Sequence, residues 1–155
     1  MKLYADDYWM EQAIALAENA EELDEVPVGA IVVLDGEVIG RGFNQPISGD
    51  DPTAHAEIIA LRDAGRQLGN YRLPGSTLYV TLEPCMMCAG AMVHSRITRL
   101  VYGAQDAKTG VIDSYLDAFN QPVVNHKIEV TGGVMAQECG SMLTTFFRNK
   151  REKKQ

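Results

Sequence analysis

The sequence has too few cysteines for a disulfide framework. It contains three, an odd number, and two of them, Cys85 and Cys88, are only three residues apart. No apolar run approaches the roughly 18 residues of a membrane-spanning helix, and residues 1–7 lack the cationic start and apolar stretch of a secretion signal. These absences predict a cytoplasmic protein, in which a close cysteine pair is typically metal-binding or redox-active.

Basic residues are also scarce, with 14 Lys and Arg against 21 Asp and Glu and a formal net charge of -7. This balance argues against general binding of nucleic acids, because contacts with phosphates need cations. The cations are unevenly spread, however, and five of them lie in the last eight residues: Arg148, Lys150, Arg151, Lys153 and Lys154. This basic C-terminal tail (148–155) is either a solubilising segment or a local phosphate-binding surface.

The length of 155 residues predicts one domain over residues 1–155, and the alternation of strand-like and helix-like segments predicts an α/β fold. Strands are predicted at Ala30–Leu34, Val38–Phe43, Thr77–Leu82, Leu100–Gly103 and Lys127–Thr131. Helices are predicted at about Tyr8–Ala20, Thr53–Leu68 and Pro84–His94, with a short helix near Ser114–Phe119 and a longer one at the C-terminus.

Local signals refine these elements. Asp6 or Asp7 is expected to cap the first helix, the Asp35-Gly36 pair predicts a hairpin turn, and Gly69 is placed to end the second helix. One face of the C-terminal helix is predicted to be apolar, with Met135, Cys139, Met142, Leu143, Phe146 and Phe147. We therefore interpret Cys139 as a core residue with no chemical role.

Three short motifs carry the chemistry: His55-Ala56-Glu57, Pro84-Cys85 and Cys88. Two cysteines three residues apart project from one side of a helix, and a helix N-terminus favours their thiolate form. An imidazole from the start of another helix completes a set of two sulfurs and one nitrogen, which suits zinc. The order of these motifs is more specific than any one of them, and a thioredoxin-like dithiol leaves His55 and Glu57 unexplained.

Three protein ligands are typical of a catalytic zinc site, whereas a structural site usually has four. A fourth ligand is not evident, because Cys139 belongs to an apolar face and neither His94 nor His126 has a matching spacing. The fourth position is therefore predicted to hold a water, which zinc can ionise near neutral pH. Glu57, two residues after His55, is predicted to move protons between this water and a substrate.

The order His-x-Glu followed by Pro-Cys-x-x-Cys is the known signature of zinc-dependent nucleobase deaminases. The sequence resembles the bacterial tRNA adenosine deaminases well beyond this signature. The similar segments are Val26–Ala30, Asp51–Glu57, Asn70–Arg72, Thr77–Cys85, Cys88–Met92, His94–Ile97 and Asp106–Gly110. They extend over about Tyr8 to Arg148, which is nearly the whole chain.

The resemblance implies a three-layer α/β/α cytidine-deaminase-like fold with a mixed five-stranded sheet, a homodimer, and one zinc ion on His55, Cys85 and Cys88. It implies Glu57 as the proton shuttle and the wobble adenosine of a tRNA, usually arginine tRNA, as the substrate. It also implies substrate contacts from further residues, which are Val28, Asn44, Ala56, Asp106, Lys108, Phe147 and Arg148. Without the resemblance, Val28 and Phe147 would be core residues, and Asn44 would end a strand.

Two other functions stay open on the sequence alone. An enzyme of the same fold could act on a free base or nucleotide such as guanine, cytosine or deoxycytidylate. A non-catalytic, zinc-stabilised RNA-binding subunit would keep the ligands but would not need Glu57. The sequence also departs from the family at Gln45, where relatives often carry Arg, and in its acidic body.

Overall fold

Five strands form one mixed sheet in the computed structural model, which describes residues 4–154. Residues 1–3, at the N-terminus predicted to lack a secretion signal, and Gln155 of the basic tail lie outside the described part. The strands are β1 (Gly29–Leu34), β2 (Glu37–Phe43), β3 (Thr77–Leu82), β4 (Arg99–Ala104) and β5 (Glu129–Thr131), in the sheet order β2-β1-β3-β4-β5. β1 is antiparallel to β2 and β3, whereas β3, β4 and β5 are parallel.

Helices cover both faces of the sheet. They are α1 (Asp6–Glu22), α2 (Ala56–Leu68), α3 (Met86–Ser95) and α4 (Ala136–Lys153). α1 and α4 pack on one face, and α2 and α3 pack on the other. The predicted three-layer fold with a mixed five-stranded sheet is thus confirmed. Within residues 4–154, no helix combines the length and the apolar character needed to cross a bilayer.

The central strands are buried on both faces and serve two cores. In β1, Ala30 and Val32 belong to the core under α2 and α3, whereas Ile31 and Val33 belong to the core under α1. Side chains alternate in this way because successive residues of a strand point to opposite faces. A central strand of a three-layer fold therefore appears in the sequence as a continuous apolar run.

Two of the predicted turn signals are confirmed. Asp35 and Gly36 have φ values of 51° and 76°, as a tight hairpin with two left-handed residues requires. Gly69 ends α2 in the left-handed conformation, with φ 71°.

The predicted capping of α1 is wrong. Ala5 is the N-cap residue, and neither Asp6 nor Asp7 caps the helix with its side chain. The carboxylate of Asp6 instead accepts hydrogen bonds from Arg99 Nη1 and Nη2, at 2.8 and 2.7 Å, and from the Tyr79 hydroxyl at 2.9 Å. A bidentate guanidinium is a stronger partner for a carboxylate than a neutral backbone N–H.

The short helix predicted near Ser114–Phe119 is also wrong. Only one turn of 3₁₀ helix forms, at Ala118–Asn120. The backbone N–H groups of Ile112, Asp113 and Ser114 donate to the carboxylate of Glu83, so they do not enter a helical hydrogen-bond pattern.

The apolar face of α4 is narrower than predicted. Cys139 and Phe146 are buried, which confirms Cys139 as a core residue, but Phe147 is 44% exposed. The helix continues to Lys153, so the basic residues predicted as a tail lie largely on its last turns. Phe147 and these cations are therefore held on a rigid element that faces solvent.

The strand directions place three connections at one edge of the sheet, the edge formed by the carboxyl ends of β2, β3 and β4. Because β1 is antiparallel to both β2 and β3, these two strands run in the same direction, and β4 is parallel to them. Their carboxyl ends therefore meet at one edge, where α2 begins after β2, α3 begins after β3, and a long loop follows β4. Such an edge is the usual place for a ligand site in α/β sheets.

Candidate metal centre

The three predicted metal ligands lie at the first residues of two helices. His55 is the N-cap residue of α2, Cys85 is the N-cap residue of α3, and Cys88 lies in the first turn of α3. The helices begin later than Thr53 and Pro84, where the sequence predicted them to start. Since N-cap residues have extended backbone, His55 and Cys85 can turn their side chains across the helix ends toward each other.

Local hydrogen bonds explain the later start of α2. The side chain of Asp51 accepts from the backbone N–H and the hydroxyl of Thr53, at 2.9 and 2.8 Å, which holds Thr53 in a turn. The side-chain oxygen of Asn44 then accepts from the N–H of Ala56 at 2.8 Å, at the first helical residue. Asn44 thus fixes the residue that follows His55.

α2 packs closely against β2, and this packing fixes the position of its N-cap residue, His55, relative to the sheet. A Cβ atom added at Gly42 would lie 2.6 Å from the backbone nitrogen of Ala60, closer than any real contact. The backbones of the strand and the helix can approach this closely because position 42 has no side chain.

The ligand atoms have the spacing that a zinc ion requires. Nδ1 of His55 lies 3.6 Å from Sγ of Cys85 and 3.6 Å from Sγ of Cys88, and all three atoms are within 4.8 Å of one another. Zinc bonds of about 2.3 Å to sulfur and about 2.0–2.1 Å to nitrogen, at a tetrahedral angle, place the two donor atoms about 3.6 Å apart. The donor set and its geometry therefore both fit zinc.

The environment favours a thiolate at this centre. A hydrogen bond from Cys88 lowers the pKa of Cys85 to about 4, and a further hydrogen bond with His55 contributes. The hydrogen bond with Cys85 in turn raises the pKa of His55. A thiolate that forms near neutral pH binds a metal ion with fewer protons to release.

Glu57 lies in the first turn of α2 and is only 4% exposed. Burial raises the pKa of its carboxyl group to about 7. A carboxyl group with a pKa near the working pH can both accept and return a proton, which a general acid and base must do. The three ligating side chains and this fourth side chain are thus brought together as the motifs predict.

The predicted substrate contacts beside the ligands lie at the same edge. The backbone N–H of Asn44 donates to the carbonyl of Val28 at 3.1 Å, which joins the ends of β2 and β1. Val28 and Ala56 are buried. Since the side-chain oxygen of Asn44 is engaged with Ala56, its amide NH₂ is the group left for a substrate acceptor.

Residues Asp106, Lys108 and Phe147 lie around one groove, whose other lining residues include Lys150, Arg151 and Lys154. This basic groove, of about 720 Å³, lies between α4 and the loop after β4. The carboxylate of Asp106 is turned into its own loop, where it accepts from the backbone N–H groups of Lys108 and Thr109 at 3.0 and 3.1 Å. Arg148 is exposed on α4 and does not line the groove.

Two buried carboxylates were missed by sequence reasoning. Glu83, 2% exposed, accepts hydrogen bonds from the loop after β4, and Glu25 accepts from the backbone N–H groups of Ile47 and Ser48 at 3.3 and 2.6 Å. Burial alone would raise the pKa of Glu83, but hydrogen bonds from Ser114 and from backbone N–H groups lower it. The position of Glu83 next to Pro84-Cys85 was the only signal in the sequence.

A protein-family model and a bacterial relative both match more than half of this chain. The family model described as the cytidine and deoxycytidylate deaminase zinc-binding region matches residues 3–104. A tRNA-specific adenosine deaminase of Haemophilus influenzae is 56% identical over 150 residues, covering 96% of this chain and 87% of the relative. The family model and the bacterial relative both cover the four residues of the site.

Two solved structures share the fold. One, from a study of A-to-I editing by tRNA:A34 deaminases at the wobble position of transfer RNA, is 49% identical, with a TM-score of 0.86 over 88% of this chain and 99% of that chain. The other, a guanine deaminase from Nitrosomonas europaea, is 25% identical, with a TM-score of 0.81 over 94% of this chain and 86% of that chain.

Replacement of one thiolate should abolish stable zinc binding. We expect Cys88→Ser to lose most of its zinc, because a serine hydroxyl does not ionise near neutral pH, and metal analysis of the purified protein measures this. The matched control is Cys139→Ala, which removes a buried sulfur outside the centre and should keep one zinc per chain. A full equivalent of zinc in Cys88→Ser would contradict the ligand assignment.

Proposed function

Because the chain belongs to the cytidine and deoxycytidylate deaminase family, we propose that it is a zinc-dependent tRNA adenosine deaminase that converts the wobble adenosine of arginine tRNA to inosine. The observation that carries this proposal is the convergence of His55, Cys85 and Cys88 beside the buried carboxyl group of Glu57. The likeness to tRNA-specific adenosine deaminases over 96% of the chain supports the choice of substrate.

The reaction adds water to C6 of adenine and releases ammonia. His55, Cys85 and Cys88 would hold a zinc ion, which would supply a water activated for attack near neutral pH. Glu57 accepts a proton from the attacking water and donates it to N1 of adenine. Glu57 then takes the second proton from the hydroxyl added at C6 and passes it to the departing amine, so that adenosine and water give inosine and ammonia, and Glu57 returns to its starting carboxylate.

The surrounding residues bind and orient the base. A stacked base cannot reach a centre among buried side chains, so the nucleotide must turn out of its loop, which costs a few kcal/mol and less in a loop that is already partly unstacked. We propose that the NH₂ group of Asn44 hydrogen-bonds the nucleoside and that Val28 and Ala56 form the apolar wall. An anticodon loop suits such a site because its bases can be splayed out.

The basic groove is the proposed contact surface for the rest of the RNA. Lys108, Arg151 and Lys154 offer cations to phosphates, whereas the ammonium group of Lys150 is paired with Asp24. The exposed ring of Phe147 offers a face for stacking. Arg148 lies next to Phe147 on α4. This local concentration of cations reconciles a net charge of -7 with an RNA substrate. The homodimer and the cytoplasmic location stay predictions.

An assay with competing substrates tests the proposed function. We expect inosine to form at the wobble position of an arginine anticodon stem-loop, read as A-to-G changes on sequencing, with release of one ammonia for each inosine. Free guanine is the informative competitor, because the fold is shared with a guanine deaminase. Ammonia from guanine but not from the stem-loop would favour the free-base enzyme, and no ammonia from any base would favour the non-catalytic subunit.

Loss of the proton shuttle should separate catalysis from metal binding. We expect Glu57→Gln to keep one zinc per chain and to lose activity by about 10²–10⁴-fold, the usual contribution of general acid–base catalysis. The amide has nearly the same shape but cannot accept and return a proton. Single-turnover rates on the stem-loop, corrected for zinc content, measure the effect. Near-native turnover would remove Glu57 from the mechanism.

Neutralising the groove should weaken RNA binding in a salt-dependent way. We expect the double variant Arg151→Gln, Lys154→Gln to raise the Kd for the stem-loop. The slope of log Kd against log salt concentration should fall by about 0.7 for each phosphate of single-stranded RNA that the protein no longer neutralises. Lys127→Gln removes an exposed cation that does not line the groove and is the matched control. An unchanged slope in the double variant would leave these cations as solubilising groups only.

A further inference from the structure

The carboxylate of Glu83 is surrounded by hydrogen-bond donors from one loop. It follows β3 directly and lies two residues before Cys85. The donors are the backbone N–H groups of Asp106 (3.1 Å), Ile112 (3.0 Å), Asp113 (2.8 Å) and Ser114 (2.9 Å), together with the hydroxyl of Ser114. Among residues 4–154, no Lys or Arg forms a salt bridge with it. Its charge is thus stabilised by the dipoles of the loop it holds.

Two further contacts show that this loop, residues 105–114, is built around the carboxylate. A Cβ atom added at Gly110 would lie 2.6 Å from Oε1 of Glu83, so no side chain fits there. The backbone N–H of Val111 donates to the carbonyl of Pro84 at 3.1 Å, which joins the loop to the residue before Cys85. We call residues 105–114 the β4 loop.

The β4 loop forms one wall of the basic groove, where it presents Lys108 to solvent. Asp106 folds its own side chain into the loop, so the path of the backbone there depends on internal hydrogen bonds. Glu83 accepts hydrogen bonds near both ends of the β4 loop, from Asp106 at one end and from Ile112–Ser114 at the other. Charge-assisted hydrogen bonds are about twice as strong as neutral ones, and a buried N–H group without an acceptor is costly.

We propose that Glu83 is a positioning residue for substrate selection: it holds the β4 loop at a fixed place relative to the metal centre, so that the loop discriminates among the nucleotides flanking the reacting adenosine. This inference rests on the proposed function, because it requires an RNA substrate. Glu83 itself is not a ligand of the proposed metal ion and acts through Lys108, whose place is fixed by the backbone of the loop.

Discrimination between two stem-loops tests the proposal. One carries the arginine anticodon loop, and the other has the nucleotides on either side of the adenosine exchanged. The measured quantity is the ratio of the two kcat/KM values. Glu83→Gln places an NH₂ donor among N–H donors, and we expect it to lower this ratio by about tenfold while zinc content stays at one per chain. Destabilisation alone would lower both kcat/KM values equally and leave the ratio unchanged.

Thr81→Val is the matched control. Thr81 is buried on β3, two residues before Glu83, and its hydroxyl accepts from the N–H of Gly29 at 3.2 Å. The substitution removes a buried hydrogen bond but does not touch the β4 loop, so the ratio should stay that of the wild type. A fall in the ratio as large as that of Glu83→Gln would overturn the proposal.

A double-mutant cycle identifies the route of the effect. If Glu83 acts through Lys108, then Glu83→Gln should lower the ratio much less in a Lys108→Ala background than in the wild type. Strictly additive losses would overturn the proposal. If Glu83→Gln fails to fold, Gly110→Ala takes its place, because the added methyl group displaces the carboxylate from the loop, and the same fall in the ratio is expected.

The possible failures are distinguishable. A wild-type protein that does not edit either stem-loop overturns the proposed function and this inference with it. A wild-type protein that edits and discriminates, together with a zinc-loaded Glu83→Gln variant that discriminates equally well, overturns the role of Glu83 alone.

Discussion

The site depends on a constraint of the sheet: two strands that run in the same direction deliver two helix starts to one edge. β2 and β3 achieve this because β1 lies between them and is antiparallel to both. His55 and Cys85 are then N-cap residues facing each other across the ends of α2 and α3. The imidazole and the two sulfurs converge because the backbone places them, and the hydrogen bonds with Cys88 and His55 favour the thiolate of Cys85.

Three buried glutamates at this edge have different environments and correspondingly different roles. Burial raises the pKa of Glu57, which suits the exchange of protons with a substrate. Glu83 is buried as deeply, but its many donors keep it ionised, so that it serves as an acceptor that shapes a loop. Glu25 likewise holds a loop by two backbone N–H groups. The surroundings of each carboxyl group, and not the residue type, decide its chemistry.

The sequence predicts those parts of the structure that are determined by residues close together in the chain. The three-layer fold follows from alternating elements and the family resemblance, and His55, Cys85 and Cys88 follow from motif spacing. Contacts between residues far apart in the chain could not be predicted. Asp6 pairs with Arg99, and Glu83 accepts hydrogen bonds from a loop about 30 residues later. Phe147 was predicted within an apolar face, yet a helical pattern does not reveal which part of a face another element covers.

The central claim is that one zinc ion is held by two sulfurs and one nitrogen, and X-ray absorption spectroscopy at the zinc edge of the purified protein tests it most directly. We expect two sulfur neighbours at about 2.3 Å and lighter neighbours at about 2.0–2.1 Å, as in a tetrahedral site with one exchangeable position. A first shell without sulfur, or protein that is fully folded and active with no bound zinc, would contradict it.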